Sequence, residues 1–300
     1  MRNLKLAIVA AALSSDVRQA VRTGRTGGVD GLLFEARSSA LDFAELSGTG
    51  QREFRHLLEE QQRQMVGLRL DLGPKGFAPS ADIDQALAAI EKAMKAAADL
   101  RAPLVCLDLG PLPAAPAAKA PKRKIAPEEA GLIIIPTMAA APAPEVTSRP
   151  TPADIDPNFV ASVDAALAEL GTRADRYGCV VAMRSELAPF SALERAMLKA
   201  ACPWFGVDLD PVDVLRDEWS ASEVFDRLGV FVRHVRARDA VKGTGQRTQP
   251  AIVGQGSSNW AELSQLLDDA GYHGWITLDP VEIPDRAAAM TQGLKLLRLL

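Results

Sequence analysis

The chain has 300 residues, of which 48% are hydrophobic and 24% charged, and this is the composition of a globular protein. A net charge of −4 offers no basic footprint for nucleic acid. Three cysteines and three histidines are too few for a disulfide scaffold or a Cys/His zinc module. No apolar run approaches the ~18 residues that a membrane-spanning helix needs. We therefore expect no nucleic-acid partner and no membrane association.

The N-terminal segment has two interpretations. Leu6–Leu13 follows two basic residues, Arg2 and Lys5, and could pass for a short secretory signal. The same stretch, taken from Leu4 to Ala10, suits a buried first strand. The strand is the interpretation that fits the pattern of the segments that follow, and on this basis we expect a cytoplasmic protein.

Short apolar runs alternate with helical stretches along the chain. The helical face formed by Ile83, Leu87, Ile90 and Met94 is one example. Strands are predicted at Leu4–Ala10, Gly31–Glu35, Val66–Asp71, Pro103–Asp108, Val180–Arg184, Trp204–Asp208, Phe231–Arg236 and Trp275–Asp279. Eight strands alternating with helices predict an α/β fold, a (β/α)8 TIM barrel. A doubly wound open sheet is the alternative, but the first strand lacks the Gly-rich phosphate turn of such folds.

One long segment interrupts this pattern after the fourth strand. Residues 111–156 contain 10 of the 20 prolines of the chain, together with 12 alanines. Proline fixes φ and removes a backbone donor, so this segment predicts neither a regular helix nor a central strand. Because the alternation resumes after it, we interpret 111–156 as a loop inserted into a single barrel domain that covers residues 1–300.

Charged residues end nearly every predicted strand, where a parallel barrel opens to solvent. Residues two apart on a strand share a face, so Arg184 and Glu186 point the same way, as do Asp208 and Asp210. We predict a site at this mouth, with acid/base candidates Glu186, Asp210, His234 and Asp279 and substrate-binding candidates Glu35, Arg184, Asp208, Arg236, Arg238 and Asp239. The alternative for each residue is an ordinary ion pair that caps the barrel.

The chemistry of these side chains suggests the class of ligand. Arginine forks bind carboxylates and phosphates, so the mouth suits an anionic or polyhydroxylated small molecule. A weaker possibility is a magnesium or manganese site made of carboxylate oxygens, with candidates Glu186, Asp208, Asp210 and Asp279. The Gly-rich loop between Ala240 and Asn259 either folds over a ligand or is a plain loop. A homo-oligomer is possible.

Three segments together resemble the xylose isomerase-like TIM barrel superfamily of sugar phosphate isomerases, epimerases and endonuclease-IV-like enzymes. They are Phe205–Pro211, Val232–Asp239 and Gly271–Asp279, which look like the family's sixth, seventh and eighth strands. The resemblance implies a divalent metal held by a Glu after strand five, an Asp and a His after strand six, a His on strand seven and a Glu after strand eight.

This chain departs from that ligand pattern. The corresponding positions are Arg184, Asp210, Asp213, Arg236 and Asp279. Arginine cannot deprotonate in a protein and cannot ligate a metal, so the resemblance implies a divergent member whose metal site is absent or rebuilt. Two functions follow: a sugar or sugar-acid isomerase or epimerase working by proton transfer at the mouth, or a non-catalytic barrel that binds a sugar or an anion. A nuclease is disfavoured by the acidic composition.

Overall fold

The structure, a computed structural model, describes residues 5–26, 28–73, 75–114, 156–184, 186–217, 219–244 and 247–300. Eight parallel strands close into a barrel in the order β1-β10-β7-β6-β5-β4-β3-β2. Their bounds are β1 Lys5–Val9, β2 Gly31–Glu35, β3 Gln64–Leu70, β4 Leu104–Leu107, β5 Val180–Met183, β6 Phe205–Leu209, β7 Val232–Ala237 and β10 Trp275–Leu278. The predicted TIM barrel is confirmed, and its strands agree with the predicted ones to within two residues. Of the predicted insertion, residues 115–155 lie outside the described part.

Helices connect these strands and cover the barrel. They are α1 Ala10–Leu13, α2 Val17–Thr26, α3 Gly48–Glu60, α4 Ile83–Asp99, α5 Pro157–Tyr177, α6 Phe190–Ala200, α7 Pro211–Arg216, α8 Ala221–Leu228, α9 Trp260–Asp269 and α10 Arg286–Leu297. Most begin at a side chain that accepts a hydrogen bond from the first turn, as Asp82 does from the amide of Gln85 at 2.9 Å. Such caps fix the residue at which each helix begins.

A short hairpin was not predicted. β8 (Asp239–Lys242) and β9 (Thr248–Ala251) pair in an antiparallel manner just beyond the mouth, inside the segment interpreted as a Gly-rich loop. The sequence gives little sign of β9 because Pro250 interrupts it, and proline is tolerated only where no ladder donor is needed. The hairpin places part of this loop in a fixed position.

Two apolar clusters lie on the two faces of the barrel wall, one outside it and one inside it. The larger cluster packs alternate strand residues, such as Leu32, Phe34 and Leu68, against the helices. The smaller cluster contains Ala7, Val9, Leu33, Val66, Cys106 and Ala182, all from β1–β5. Since strand side chains alternate between the two faces, this second set lines the interior. The remaining barrel strands, β6, β7 and β10, bury polar side chains instead, and these lead to the site.

Candidate functional site

A cleft of about 240 Å³ opens at the carboxyl ends of the barrel strands. Six carboxylates and four guanidinium groups line it, together with three other residues. The charged lining consists of Glu35, Asp71, Asp108, Glu186, Asp208, Glu282, Arg69, Arg184, Arg236 and Arg238. The charged strand ends therefore meet around one opening, as the strand pattern predicts for a barrel mouth.

Arg184 stands at the centre of one group of ion pairs. It follows β5 directly, and its guanidinium contacts Glu186 Oε2 at 2.5 Å, Asp210 Oδ2 at 3.2 Å and Asp213 Oδ2 at 3.1 Å. Asp210 caps the N-terminus of α7, accepting a hydrogen bond from the amide of Val212, and Asp213 lies in the first turn of that helix. The start of α7 thus delivers both carboxylates to one guanidinium.

Arg238, which follows β7, extends this group towards Glu282, which follows β10. Its Nε donates to Asp210 Oδ2 at 2.7 Å, the same oxygen that Arg184 approaches, and its Nη1 donates to Glu282 Oε1 at 2.7 Å. A continuous series of ion pairs therefore runs from Glu186 through Arg184, Asp210 and Arg238 to Glu282. Its two end members have partly exposed side chains, 38% for Glu186 and 53% for Glu282, whereas Asp210 is fully buried.

A second group forms around Asp279, just after β10. Its Oδ2 accepts hydrogen bonds from Arg236 Nε at 2.7 Å and from Arg69 Nη1 at 2.9 Å. Arg69 also binds Glu35, its direct neighbour in the β2–β3 register. Each guanidinium that lines the cleft is thus already engaged by at least one carboxylate.

Burial and these ion pairs shift several pKa values. Burial alone would raise the pKa of Asp279, but Arg236 and Arg69 outweigh it and hold that pKa well below its usual range. Burial and the neighbouring Asp210 raise the pKa of Asp213 to about 7 despite Arg184. Burial also raises the pKa of Asp108, against a hydrogen bond from the amide of Gly110. The mouth therefore has one buried carboxyl group that its arginines keep ionised, Asp279, and one that burial shifts towards the protonated form, Asp213.

Beneath the mouth lies a polar layer that contains His234, which is fully buried. Its Nδ1 lies 2.6 Å from Asp208 Oδ1 and its Nε2 lies 2.7 Å from Thr277 Oγ1. Asp208 and His234 are direct neighbours in the β6–β7 register. Burial opposes ionisation of Asp208, yet His234 lowers its pKa, so the carboxylate form persists. Both imidazole nitrogens are occupied.

Asp239 has a different position from the other predicted residues. Its Oδ1 accepts from the amides of Ala240 and Ser258, and its Oδ2 from those of Gly254 and Gly256 and from Trp260 Nε1. A Cβ on Gly256 would lie 2.1 Å from Asp239 Oδ1, so this loop can wrap the carboxylate only with glycine there. Asp239 anchors the loop before α9, and no acceptor capacity is left over for a substrate.

The structure brings the other nine predicted residues together at the mouth or directly beneath it. Glu35, Arg184, Glu186, Asp208, Arg236 and Arg238 line the cleft, while Asp210, His234 and Asp279 are buried behind it. Five residues at the mouth were missed as site residues: Arg69, Asp71, Asp108, Asp213 and Glu282. Arg69, Asp71 and Asp108 carry the same strand-end signal as the predicted residues, whereas Glu282 lies in a loop where nothing in the sequence distinguishes it.

A divalent cation does not fit the mouth as it is built. Arg184 and Arg236 direct guanidinium nitrogens at Asp210 and Asp279, and these nitrogens cannot ligate. Among the described residues, the ligand atoms of Cys106, Asp208 and His234 form the one group close enough to share a metal, within 4.8 Å of one another. There too the imidazole is engaged on both sides, and burial raises the pKa of the Cys106 thiol well above its usual value.

The fold and the site define a parallel (β/α)8 barrel with a charged cleft at its carboxyl-terminal mouth. Residues 26–300 match the protein family described as the xylose isomerase-like TIM barrel, and the chain belongs to this family. The resemblance found in the sequence is therefore confirmed. A search of curated protein sequences gives no match.

Solved structures with the same architecture differ widely in chemistry. D-psicose 3-epimerase from Clostridium cellulolyticum H10, solved with D-tagatose, is 15% identical, with a TM-score of 0.68 over 99% of this chain and 98% of that chain. The probable 3-DHS dehydratase AsbF of Bacillus anthracis is 11% identical, with a TM-score of 0.70 over 98% and 99%. A xylose isomerase-like TIM barrel protein from Mycobacterium smegmatis, in complex with magnesium, is 13% identical, with a TM-score of 0.65 over 94% and 87%. These likenesses show the fold, and function must come from the site.

In the described part of the chain, every helix is too short or too polar to cross a lipid bilayer.

Proposed function

We propose that the protein binds a carbohydrate in the mouth cleft and moves a proton on it, as a sugar isomerase or epimerase does, using its own side chains. The observation that carries the proposal is the pair Glu186 and Glu282. Both line the cleft and are partly exposed; Glu186 pairs with Arg184 and, at 3.9 Å, with Arg216, whereas Glu282 pairs with Arg238. They follow β5 and β10, which are separated in the barrel by β6 and β7, so they reach the cleft from different strands.

Glu186 is the preferred proton carrier. Of the four acid/base candidates expected from the sequence, only Glu186 lines the cleft. Asp210 and Asp279 are buried and bound by two arginines each, and both nitrogens of His234 are occupied. We propose that these three residues position Arg184, Arg236, Arg238 and the strand ends and do not themselves exchange protons with substrate.

The charge balance favours a neutral sugar over a sugar phosphate or sugar acid. The cleft has six carboxylates against four arginines, and each arginine is already paired. An added anion would have to compete with these carboxylates for the guanidinium groups, at a cost in desolvation and repulsion. Sugar hydroxyls, in contrast, can donate to free carboxylate oxygens.

Proton exchange with solvent tests this proposal. Aldoses, ketoses and their phosphates are incubated with the protein in deuterated water, and deuterium at the carbon next to the carbonyl is followed by NMR. Wild type should exchange with at least one neutral sugar, and Glu186→Gln should slow this by about 10²–10⁴-fold, the size of a general acid/base contribution. Glu169→Gln is the matched control, because Glu169 also pairs with an arginine (Arg173, 2.8 Å) but on the outer helix α5.

Two outcomes contradict parts of this proposal. Exchange that is equally fast in Glu186→Gln would remove Glu186 from the chemistry. Saturable binding of a sugar without exchange by the wild-type protein would identify the non-catalytic binding barrel, the second function that the sequence leaves open. Binding itself is measured by calorimetry, and neutral sugars should bind more tightly than their phosphates.

A further inference from the structure

Asp108 differs from most of the carboxylates that line the cleft. It directly follows β4, the strand next to β5, and it lines the cleft together with Glu186. In the part of the chain that the structure describes, no basic side chain forms an ion pair with Asp108, whereas four of the other five carboxylates of the cleft have such a partner. These four are Glu35, Glu186, Asp208 and Glu282.

The two carboxyl oxygens of Asp108 have different surroundings. Oδ1 accepts a hydrogen bond from the amide of Gly110 at 2.7 Å. Oδ2 is buried and has no hydrogen-bond partner among the described residues. A negative charge on a buried oxygen without a donor is costly, and the neutral acid avoids this cost. The surroundings of Oδ2 therefore favour the protonated carboxyl group.

Charged groups approach Asp108 from the two neighbouring strands and from one loop. The loop after β3 packs its backbone against Gly110. The charged side chains on these elements are Arg69 and Asp71 at the end of β3, the exposed Lys75 in the loop, and Arg184 and Glu186 after β5. The two carboxylates in this set oppose a negative charge on Asp108, and the cations favour it.

The balance of these effects lies on the side of the neutral acid. Burial has the largest effect and raises the pKa of Asp108, and Glu186 raises it further. Arg184 and two backbone amides lower it without cancelling the effect of burial, so the pKa stays above its ordinary value. The position of Asp108 and its pKa therefore agree.

Glu186 has the opposite kind of surroundings. Its carboxylate contacts Arg184 at 2.5 Å and Arg216 at 3.9 Å, and a nearby guanidinium favours the charged form of a carboxyl group. Two carboxyl groups whose surroundings favour opposite protonation states are the arrangement expected of a general acid and a general base. Asp213 also has a raised pKa, but it is bound by Arg184 and does not line the cleft.

We infer that Asp108 is the general acid that works with Glu186, donating a proton to the carbonyl oxygen of the bound sugar while Glu186 removes one from the neighbouring carbon. This role rests on the proposed function. The electron pair of the broken C–H bond forms the C=C bond of an enediol, and the carbonyl oxygen becomes a hydroxyl. Glu186 then returns its proton to carbon and Asp108 takes one from an enediol hydroxyl, so both groups regain their starting states. Rotation about the last side-chain torsion, which is soft in aspartate, turns Oδ2 towards the cleft.

Replacing the acid by its amide tests this role. Asp108→Asn keeps the size of the side chain and can still donate a hydrogen bond, but it has no proton to transfer. Exchange of the sugar with deuterated water should slow by about 10²–10⁴-fold, with KM little changed. Asp156→Asn is the matched control, because Asp156 also accepts from the amide two residues further on (Asn158, 2.9 Å) but at the exposed start of α5. It should exchange at the wild-type rate.

The pH dependence gives a second reading. The kcat/KM of wild type should fall as pH rises through the pKa of Asp108, because only the protonated form can donate, and Asp108→Asn should lack this basic limb. NMR of protein with labelled aspartate carboxyl carbons gives a third reading that needs no sugar. The signal that is missing from Asp108→Asn should titrate above the ordinary value of about 3.9.

The outcomes separate this inference from the proposed function. Exchange by wild type that Asp108→Asn leaves unchanged would overturn the role of Asp108 alone, as would a carboxyl signal that titrates at or below the ordinary value. If wild type exchanges no sugar, the proposed function fails and the catalytic role of Asp108 fails with it, whatever the NMR titration gives. If Asp108→Asn does not fold, Asp108→Ala and the wild-type pH profile make the same decision.

Discussion

The two halves of the barrel interior are built from different chemistry. Strands β1–β5 fill it with small apolar side chains, such as Ala7, Val66 and Ala182. Strands β6, β7 and β10 fill it with polar ones, such as His234 and Thr277. Apolar packing tolerates exchange of similar volumes, whereas each buried polar group needs a specific partner. The sequence of the polar half is therefore constrained by pairing, and the candidate cleft lies above this half.

We expect the largest loss of stability when a buried pair in the polar half is broken, and a substitution in the apolar half provides the comparison. His234→Leu leaves the buried Asp208 carboxylate without its partner, and loss of one member of a buried pair costs about 3–5 kcal/mol of unfolding free energy. Cys106→Ala removes one sulfur atom from the apolar half and should cost about 1 kcal/mol. Urea unfolding followed by fluorescence measures both.

A double variant tests whether this loss comes from the carboxylate that is left unpaired. Asp208→Leu with His234→Leu replaces the whole pair by apolar groups and should recover much of the loss, because no carboxylate is then left buried without its partner. Equal costs for His234→Leu and Cys106→Ala would contradict the distinction between the two halves. A double variant less stable than His234→Leu would do so as well.

Strand ends and strand order follow from the sequence, but side-chain pairing does not. Alternation of apolar runs with helical faces predicts eight strands, and the charged strand ends predict the mouth. Which carboxylate meets which arginine depends on the stagger between strands and on the reach of long side chains. Arg69, for example, reaches from β3 to Asp279 after β10, although β2 and β1 lie between these two strands in the barrel. No local pattern encodes such a contact.

The positions of side chains in loops could not be predicted from the sequence for a related reason. Asp239 ends the charged run of β7, so its position looks like that of a cleft residue, yet the chain turns there and the carboxylate faces the loop before α9. Glu282 is the opposite case, because it reaches the cleft from a loop. Both depend on the path of the backbone beyond the strand end.

A smaller effect concerns acid stability. The pKa of Asp279 is lower in the folded protein than in the unfolded chain, because Arg236 and Arg69 outweigh burial. Its contribution is therefore present above the unfolded value of about 3.9 and is lost as pH falls towards the folded value. A paired buried carboxylate of this kind contributes on the order of 2–3 kcal/mol at neutral pH.

Asp279→Asn should remove this dependence. Its unfolding free energy should lie below that of wild type at pH 7, and the difference should begin to shrink as pH falls below about 4, where the carboxyl group of the unfolded chain takes up a proton. Denaturant unfolding between pH 3 and pH 8 measures the two curves. Parallel curves over this range would show that the charge of Asp279 does not support the fold.

The last expected change in stability concerns Asp213, whose contribution depends on pH in the opposite direction to that of Asp279. Asp213 has its pKa raised to about 7 by burial and by Asp210, so its protonated form is favoured in the folded protein. Its contribution to stability is complete below the unfolded value of about 3.9 and is lost as pH rises through 7. The polar layer thus contains one carboxylate that stabilises the fold when charged and another that does so when neutral.

Asp213→Asn imitates the protonated form and keeps an oxygen that can accept from Arg184 Nε. It should therefore be more stable than wild type at pH 8 and show no gain at pH 4. Asp164→Asn, which alters a carboxylate paired with Arg195 outside the mouth, should show no such crossover. A loss of stability at pH 8 would mean that the charged form of Asp213 is needed to hold Arg184.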